Sequence, residues 1–102
     1  MIYVNVSPII GKYVKINSGN CETHGMINVR NKAECEQAAR QLYLEGTFAY
    51  VNQITDRPFG CIYASDDTLI WNTSPLTPPD CGSMEGSWTF DCICLGVGKF
   101  SC

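Results

Sequence analysis

The chain has 102 residues, a net charge of −3 at pH 7 and only 17% charged residues. This length allows one domain with a single modest core, and the acidic balance argues against nucleic acid as a partner, because phosphates need basic patches. No run of about 18 apolar residues occurs, so we expect no membrane insertion.

The two ends of the chain are predicted to lie outside the compact domain. Residues 2–6 alternate between apolar and polar side chains, which is typical of a strand, before a proline ends the run. We therefore predict an extended N-terminal arm over residues 1–10 and a cysteine-rich domain over residues 11–95. Closely spaced glycines in residues 96–102 predict a flexible C-terminal tail.

One helix is well defined by its sequence. Asn31 is a suitable N-cap, and Glu34 stands three residues later, where the acid of a capping box belongs. Glu36 and Arg40 form a favourable pair four residues apart. A narrow apolar stripe follows at helical spacing, formed by Cys35, Ala38, Ala39 and Leu42. We predict a helix over about residues 32–44.

The rest of the domain has strand patterns. Residues 13–17 alternate, and residues 48–51 form a short apolar run. Residues 61–63 and 68–72 flank an acidic turn and predict a hairpin, and residues 88–95 predict a final strand. These elements predict an α+β fold, in which one helix packs on an antiparallel sheet stapled by disulfides.

The seven cysteines indicate an oxidising compartment, and therefore an extracellular or cell-surface location. Cys92 and Cys94 are two residues apart in a predicted strand, so they point to the same face with poor geometry for bonding to each other. Each should reach another element. The six cysteines predicted to form disulfides are Cys21, Cys35, Cys61, Cys81, Cys92 and Cys94.

The pairing is left open by the sequence, because six cysteines allow 15 pairings. Cys21 and Cys35 are natural partners for the last strand, which would leave Cys61 to bond with Cys81. Cys102 lies in the predicted tail without a partner inside the chain. It is expected either to stay a free thiol or to form an interchain disulfide.

The order of these segments resembles a small six-cysteine extracellular module of algal and protist surface proteins, loosely similar to PAN/apple domains. The resemblance rests mainly on the helical segment 32–39 and on the turn Arg57–Tyr63, and it covers about residues 11–95. It implies a single-helix domain on a small antiparallel sheet, used for binding or assembly outside the cell. It implies no catalysis and no cofactor.

Signatures of enzymes and metal sites are missing from the sequence. It has no G-x-S-x-G, H-E-x-x-H or P-loop motif, and its one histidine, His24, stands in a Thr-His-Gly turn. The cysteines lack the paired spacing of zinc sites, and the acids do not match a calcium-binding loop. We therefore expect no catalytic residue, no metal and no cofactor.

Two kinds of candidate binding and modification sites remain. Trp71 and Trp88 can stack on a sugar, although core packing explains them as well. Asn5 and Asn72 each begin an Asn-x-Ser/Thr sequon and are candidate glycosylation sites.

Three hypotheses for function follow from the sequence. The first is a non-catalytic subunit of a surface fibre or matrix, in which the arm pairs with the sheet edge of another copy and Cys102 locks the contact. The second is a PAN-like module that binds glycan or protein. The third and weakest is a secreted inhibitor or toxin.

Overall fold

The computed structural model of the protein describes residues 12–74 and 79–96. The predicted arm with Asn5, and the tail from residue 97 onward with Cys102, lie outside the described residues. The elements in chain order are β1 (Lys12–Ile16), a 3-10 turn (Glu22–His24), β2 (Met26–Asn28), α1 (Lys32–Gln41), β3 (Ala49–Asn52), β4 (Gly60–Ala64), β5 (Leu69–Asn72), β6 (Ser83–Glu85) and β7 (Trp88–Gly96). The predicted α+β class, with one helix on a sheet, is confirmed within these residues.

The long strand β7 is the centre of the sheet. On one side it pairs with β1 near its C-terminal end and with β6 near its N-terminal end. On the other side it pairs with β2 and β4, and the sheet then continues through β5 to β3. Gly96 pairs with Lys12 and Met26, so it belongs to β7 and not to the predicted tail.

The sheet is mostly antiparallel, as predicted, and one of its strand pairs is parallel. Strands β4 and β5 form the expected antiparallel hairpin, but β3 pairs with β5 in parallel. Because the chain reverses once between β3 and β4 and again in the β4–β5 hairpin, β5 runs in the same direction as β3 and lies beside it. As a result, β3 is the edge strand at this end of the sheet.

Helix α1 begins as predicted and ends three residues early. The side chain of Asn31 accepts the backbone N–H of Glu34 at 2.8 Å, which is an N-cap. Tyr43 takes a left-handed conformation with φ of 58°, and the N–H of Leu44 donates to the carbonyl of Ala39. This is the Schellman motif that ends many helices, built here on a tyrosine.

The disulfides join elements that are distant in sequence. Cys21 bonds with Cys94, Cys35 with Cys61, and Cys81 with Cys92. Cys92 and Cys94 do reach separate partners, and Cys21 is one of them. The expected pair between Cys61 and Cys81 is wrong, because Cys61 faces the helix and Cys81 lies on the other side of the sheet.

Each face of the sheet has its own apolar cluster. The helix covers one face with Cys35, Ala38 and Ala39, which pack on side chains of β4, β5 and β7. We call the opposite side the open face; its cluster includes Ile62, Ile70, Phe90 and two of the three disulfides. No helix in the described part of the chain is long and apolar enough to span a membrane.

Candidate ligand-binding groove

A groove of about 300 Å³ lies on the open face of the sheet, between the edge strand β3 and the start of β7. Its floor is apolar and consists of Ala64, Ile70 and Phe90, which come from three neighbouring strands. These residues point to the open face because alternate residues of a strand share a face. We call this cavity the open-face groove.

Two aromatic side chains border the open-face groove and remain exposed. Tyr50 in β3 is 57% exposed and Trp88 in β7 is 45% exposed, whereas Phe90 between them is buried. Large aromatic side chains usually bury most of their area, so the two exposed rings beside this cavity make it a candidate surface for contact with a ligand. Trp88 is the candidate stacking residue that the sequence suggested.

The side chain of Arg57 lines the groove and is held in place by its neighbours. Its Nε donates to Glu85 at 2.9 Å, and its Nη1 donates to the side-chain oxygen of Asn52 at 3.0 Å. Its guanidinium carbon lies 4.7 Å from the centre of the Phe90 ring, within the range of a cation–π contact. These partners order the side chain before any ligand arrives, which reduces the entropy lost on binding.

Asn72 holds the loop that carries Arg57. It is fully buried, and its Nδ2 donates to the carbonyl oxygens of Ile54 and Pro58, at 2.9 and 2.8 Å, and contacts that of Arg57 at 3.2 Å. Its Oδ1 accepts the N–H of Ile54. The amide nitrogen is therefore occupied inside the folded domain, which disfavours a glycan on it, and glycosylation at Asn72 stays a prediction.

The β4–β5 turn forms the polar end of the groove. Asp66 and Thr68 line it, and the side chain of Asp66 accepts the backbone N–H of Thr68 at 3.2 Å. Asp67 has a left-handed φ of 68°, a conformation that aspartate tolerates better than most residues. The acidic turn read from the sequence thus places a carboxylate beside the apolar floor.

The other candidate residues lie elsewhere. Trp71 is on the opposite side of β5 and packs against the apolar cluster under the helix, so it and Trp88 do not form one site. His24 is an exposed residue of the 3-10 turn, and its Nε2 lies 2.9 Å from the carbonyl oxygen of Ser18. Within residues 12–74 and 79–96, no group of three or more His, Cys, Asp or Glu side chains is placed to hold a metal ion.

A second polar cluster lies at the start of the helix and is structural. The Glu34 carboxylate accepts three hydrogen bonds from Arg30 and one from the hydroxyl of Tyr13 at 2.8 Å. Hydrogen bonding from the Arg30 side chain lowers the pKa of Glu34 to about 2, against the opposing effect of burial. Burial, together with the bond to Glu34, raises the pKa of Tyr13 to about 12. The cluster joins β1 to the helix start.

The sequence patterns did not identify Tyr50 or Arg57 as binding residues. Their roles depend on β3 lying beside β5 and on the loop folding over Phe90, and both contacts link distant segments. One sequence signal existed, because Arg57 precedes Pro58 in a turn that the resemblance already singled out.

The chain matches no protein-family model, no curated protein and no solved structure. Its resemblance to PAN/apple-like modules therefore stays a prediction. The three disulfides indicate an oxidising environment such as the outside of a cell.

Proposed function

We propose that the protein is a non-catalytic extracellular recognition domain that binds a saccharide in the open-face groove. The observation that carries this proposal is the pair of exposed aromatic residues, Tyr50 and Trp88, on either side of an apolar floor. Sugars present C–H faces that pack on aromatic rings and hydroxyl groups that need hydrogen-bonding partners.

The polar groups of the groove suit a ligand with many hydroxyls. Asn52, Asp66 and Thr68 offer acceptors and donors at the rim, and Arg57 is already ordered by Glu85. Ligand sites typically combine an apolar surface with a few fixed polar groups, and the volume of the groove lies at the lower end of their range. A short saccharide segment fits this description.

Binding without catalysis is proposed because of the carboxylates in the groove. Glycoside hydrolysis typically uses two carboxyl groups that face the bond to be cleaved. Among the described residues that line the open-face groove, Asp66 is the single carboxylate. A test for new reducing ends during incubation with bound saccharides checks this part of the proposal.

The test is a glycan array followed by titration of the best ligand by NMR, using the whole chain. Trp88→Ala and Tyr50→Ala should each weaken binding by about tenfold or more, because each removes a stacking surface. Tyr43→Ala is the matched control, since Tyr43 is 93% exposed and does not line the groove. Trp71→Phe is a second control on the opposite face. Binding that survives the loss of both Tyr50 and Trp88, or the absence of any saccharide ligand, would contradict the proposal.

We also propose, as a second candidate, assembly between copies through the edge strand β3. Phe48, Tyr50 and Val51 are exposed apolar residues at this edge. The carbonyl of Asn52 points toward β5, because it accepts the N–H of Thr73. The backbone groups of successive strand residues point to opposite sides, so the N–H of Val51 points away from the sheet. An extended segment can pair there, as strands added to open edges do.

The occupant we propose for this edge is residues 2–6 of a second copy, whose alternating sequence suits a strand. The arm leads into β1, and β7, β4 and β5 lie between β1 and β3. Because β1 and β3 are at opposite edges of the sheet, the proposed contact joins two different surfaces, and such a head-to-tail contact continues into a filament or closes a ring. An interchain disulfide through Cys102 is a further prediction of this candidate.

Complementation between two variants tests the assembly. Val4→Lys should disable the arm and Val51→Lys should disable the edge, so each variant alone should be monomeric in analytical ultracentrifugation. Their mixture should form pairs, because each retains one working half of the contact. A wild-type chain that stays monomeric, or variants that still assemble, would rule out this candidate.

A further inference from the structure

We infer that the open-face groove continues past Tyr50 into a second subsite, and that the two together bind an oligosaccharide carrying free amino groups. This inference rests on the saccharide binding proposed above. A second cavity, of about 380 Å³, adjoins the first and shares two lining residues with it, Tyr50 and Thr68. We call it the second subsite.

The position of Tyr50 between the two cavities is fixed by its neighbours. Its ring meets Phe48 edge to face, with 5.3 Å between ring centres, and the Nζ of Lys32 lies 4.9 Å from the centre of the Phe48 ring. A single ring that borders both cavities can contact adjoining units of one ligand. The sharing of Tyr50 therefore favours a chain of sugars over a single one.

The floor of the second subsite is also built rigidly. The hydroxyl of Tyr63 accepts the N–H of Gly46 at 2.9 Å and donates to the carboxylate of Asp67 at 3.0 Å. A Cβ at Gly46 would overlap the carbonyl oxygen of Asp67, so the close approach of the two loops requires glycine. The geometry of this cavity is therefore present before a ligand binds.

The charge of the two cavities selects the class of ligand. Among the described residues that line them, Glu45, Asp66 and Asp67 are acidic, and Arg57 alone is basic. The charge of Arg57 is already paired with Glu85. The surplus of carboxylates attracts cations and repels uronic or sulfated sugars, while the aromatic faces of Tyr50 and Trp88 favour ammonium groups through cation–π attraction.

The experiment titrates the whole chain with glucosamine oligomers of one to four units and with their N-acetylated counterparts. Affinity should rise about tenfold or more between one and two units, because a bound first unit holds the second unit close to its own subsite. The amino oligomers should bind more tightly than the acetylated ones, and raising the salt concentration should reduce this advantage. Polygalacturonate serves as the anionic comparison and should not bind.

Charge variants make the test specific. Asp67→Asn and Glu45→Gln should each reduce the affinity for the amino oligomer by about two- to fivefold, the size of an exposed ion pair. The affinity for the acetylated oligomer should fall by less, because that ligand has no charge for these carboxylates to attract. Asp80→Asn is the matched control, because Asp80 is exposed and lines neither cavity.

The outcomes separate this inference from the proposed function. If acetylated oligomers bind at the groove without any gain from length or from free amino groups, the second subsite and the ligand class are wrong while saccharide binding stands. If a lysine-rich peptide binds but no saccharide does, both proposals are overturned. A preference for polygalacturonate would overturn the inference on ligand charge.

Discussion

Glu34 shows how one side chain can hold several segments together. Its carboxylate receives hydrogen bonds from the backbone and side chain of Arg30 and from Tyr13 in β1. The sequence predicted Glu34 as the acid of a capping box on Asn31, but its carboxylate accepts the backbone N–H of Arg30, one residue earlier. Arg30 is a local partner four residues away, whereas Tyr13 was not predictable as a partner, because it approaches Glu34 only after β1 has paired with β7.

The first prediction concerns acid stability. Hydrogen bonds from Arg30 lower the pKa of Glu34 to about 2 in the folded state. The stability that the ionised Glu34 contributes is therefore fully present above the pKa that this glutamate has in the unfolded chain, and it is lost as pH falls toward 2. Glu34→Gln should destabilise the protein by about 1–3 kcal/mol at pH 7 and by less at pH 3. Urea unfolding at both pH values measures the difference. Tyr13→Phe, which removes one bond, should give a smaller loss, and an equal penalty for Glu34→Gln at both pH values would contradict the assignment.

A second prediction at this scale concerns Asn72. Asn72→Asp places a carboxylate against the carbonyl oxygens of Ile54 and Pro58, so it should cost about 3 kcal/mol or more at pH 7. Because protonation removes the charge, part of this loss should be recovered at pH 4. Asn72→Ala is the control and should be destabilising without this recovery. Equal behaviour of the two variants in urea unfolding would disprove the argument.

Among the elements, the helix start was read from the sequence and the helix end was not. Asn31 acts as the predicted N-cap, since a cap depends on residues within a few positions of it. The Glu36–Arg40 pair is not the one formed, because Glu36 bonds with Lys32 at 3.1 Å and accepts the N–H of Ala49. The sequence does not distinguish a Glu36–Lys32 pair from a Glu36–Arg40 pair, and the contact of Glu36 with β3 favours the first.

The helix end supplies the third prediction. Tyr43 occupies the left-handed position of the Schellman motif, where a side chain costs about 1–2 kcal/mol, and its own side chain is almost fully exposed. Tyr43→Gly should therefore stabilise the domain by about 0.5–1 kcal/mol. Tyr43→Ala keeps a Cβ and should give little gain. Urea unfolding measures both, and a loss of stability in the glycine variant would show that the tyrosine ring makes contacts that matter.

The disulfides supply the fourth prediction, because they close loops of different length. Cys21–Cys94 spans 73 residues and Cys81–Cys92 spans 11. The chain-entropy argument gives about 4.4 kcal/mol for the longer loop and about 2.8 kcal/mol for the shorter one. Replacing each pair by alanine should therefore cost more at Cys21–Cys94. The reverse order in thermal unfolding would show that local packing outweighs loop length.

For the whole molecule, the sequence predicted the class, the single helix and the β4–β5 hairpin, all of which depend on local patterns. It missed β2 and β6, which are three residues long and exist only as partners of β7. It also missed the groove, whose aromatic walls come from β3 and β7 at separate places in the sheet. Sites assembled from distant strands leave little trace in a single sequence.

The fifth prediction concerns the protein as a whole. Three disulfides at about 2–4 kcal/mol each are comparable to the entire stability of a domain of this size. Full reduction at neutral pH should therefore unfold the chain, with loss of the far-ultraviolet circular dichroism signal of the sheet. A native circular dichroism spectrum after complete reduction would mean that the two apolar clusters hold the fold without the disulfides.

The central place of β7 has a consequence for biosynthesis. Strands β1, β2, β4 and β6, which pair with β7, all precede it in the chain, and so do Cys21 and Cys81, the partners of its two cysteines. A chain emerging from the ribosome or translocon therefore holds unpaired strand edges and open thiols until residues 88–96 arrive. Sheet formation and oxidation should then complete together, after β7 has emerged, and the chain before that point is the form most in need of chaperones and disulfide isomerases.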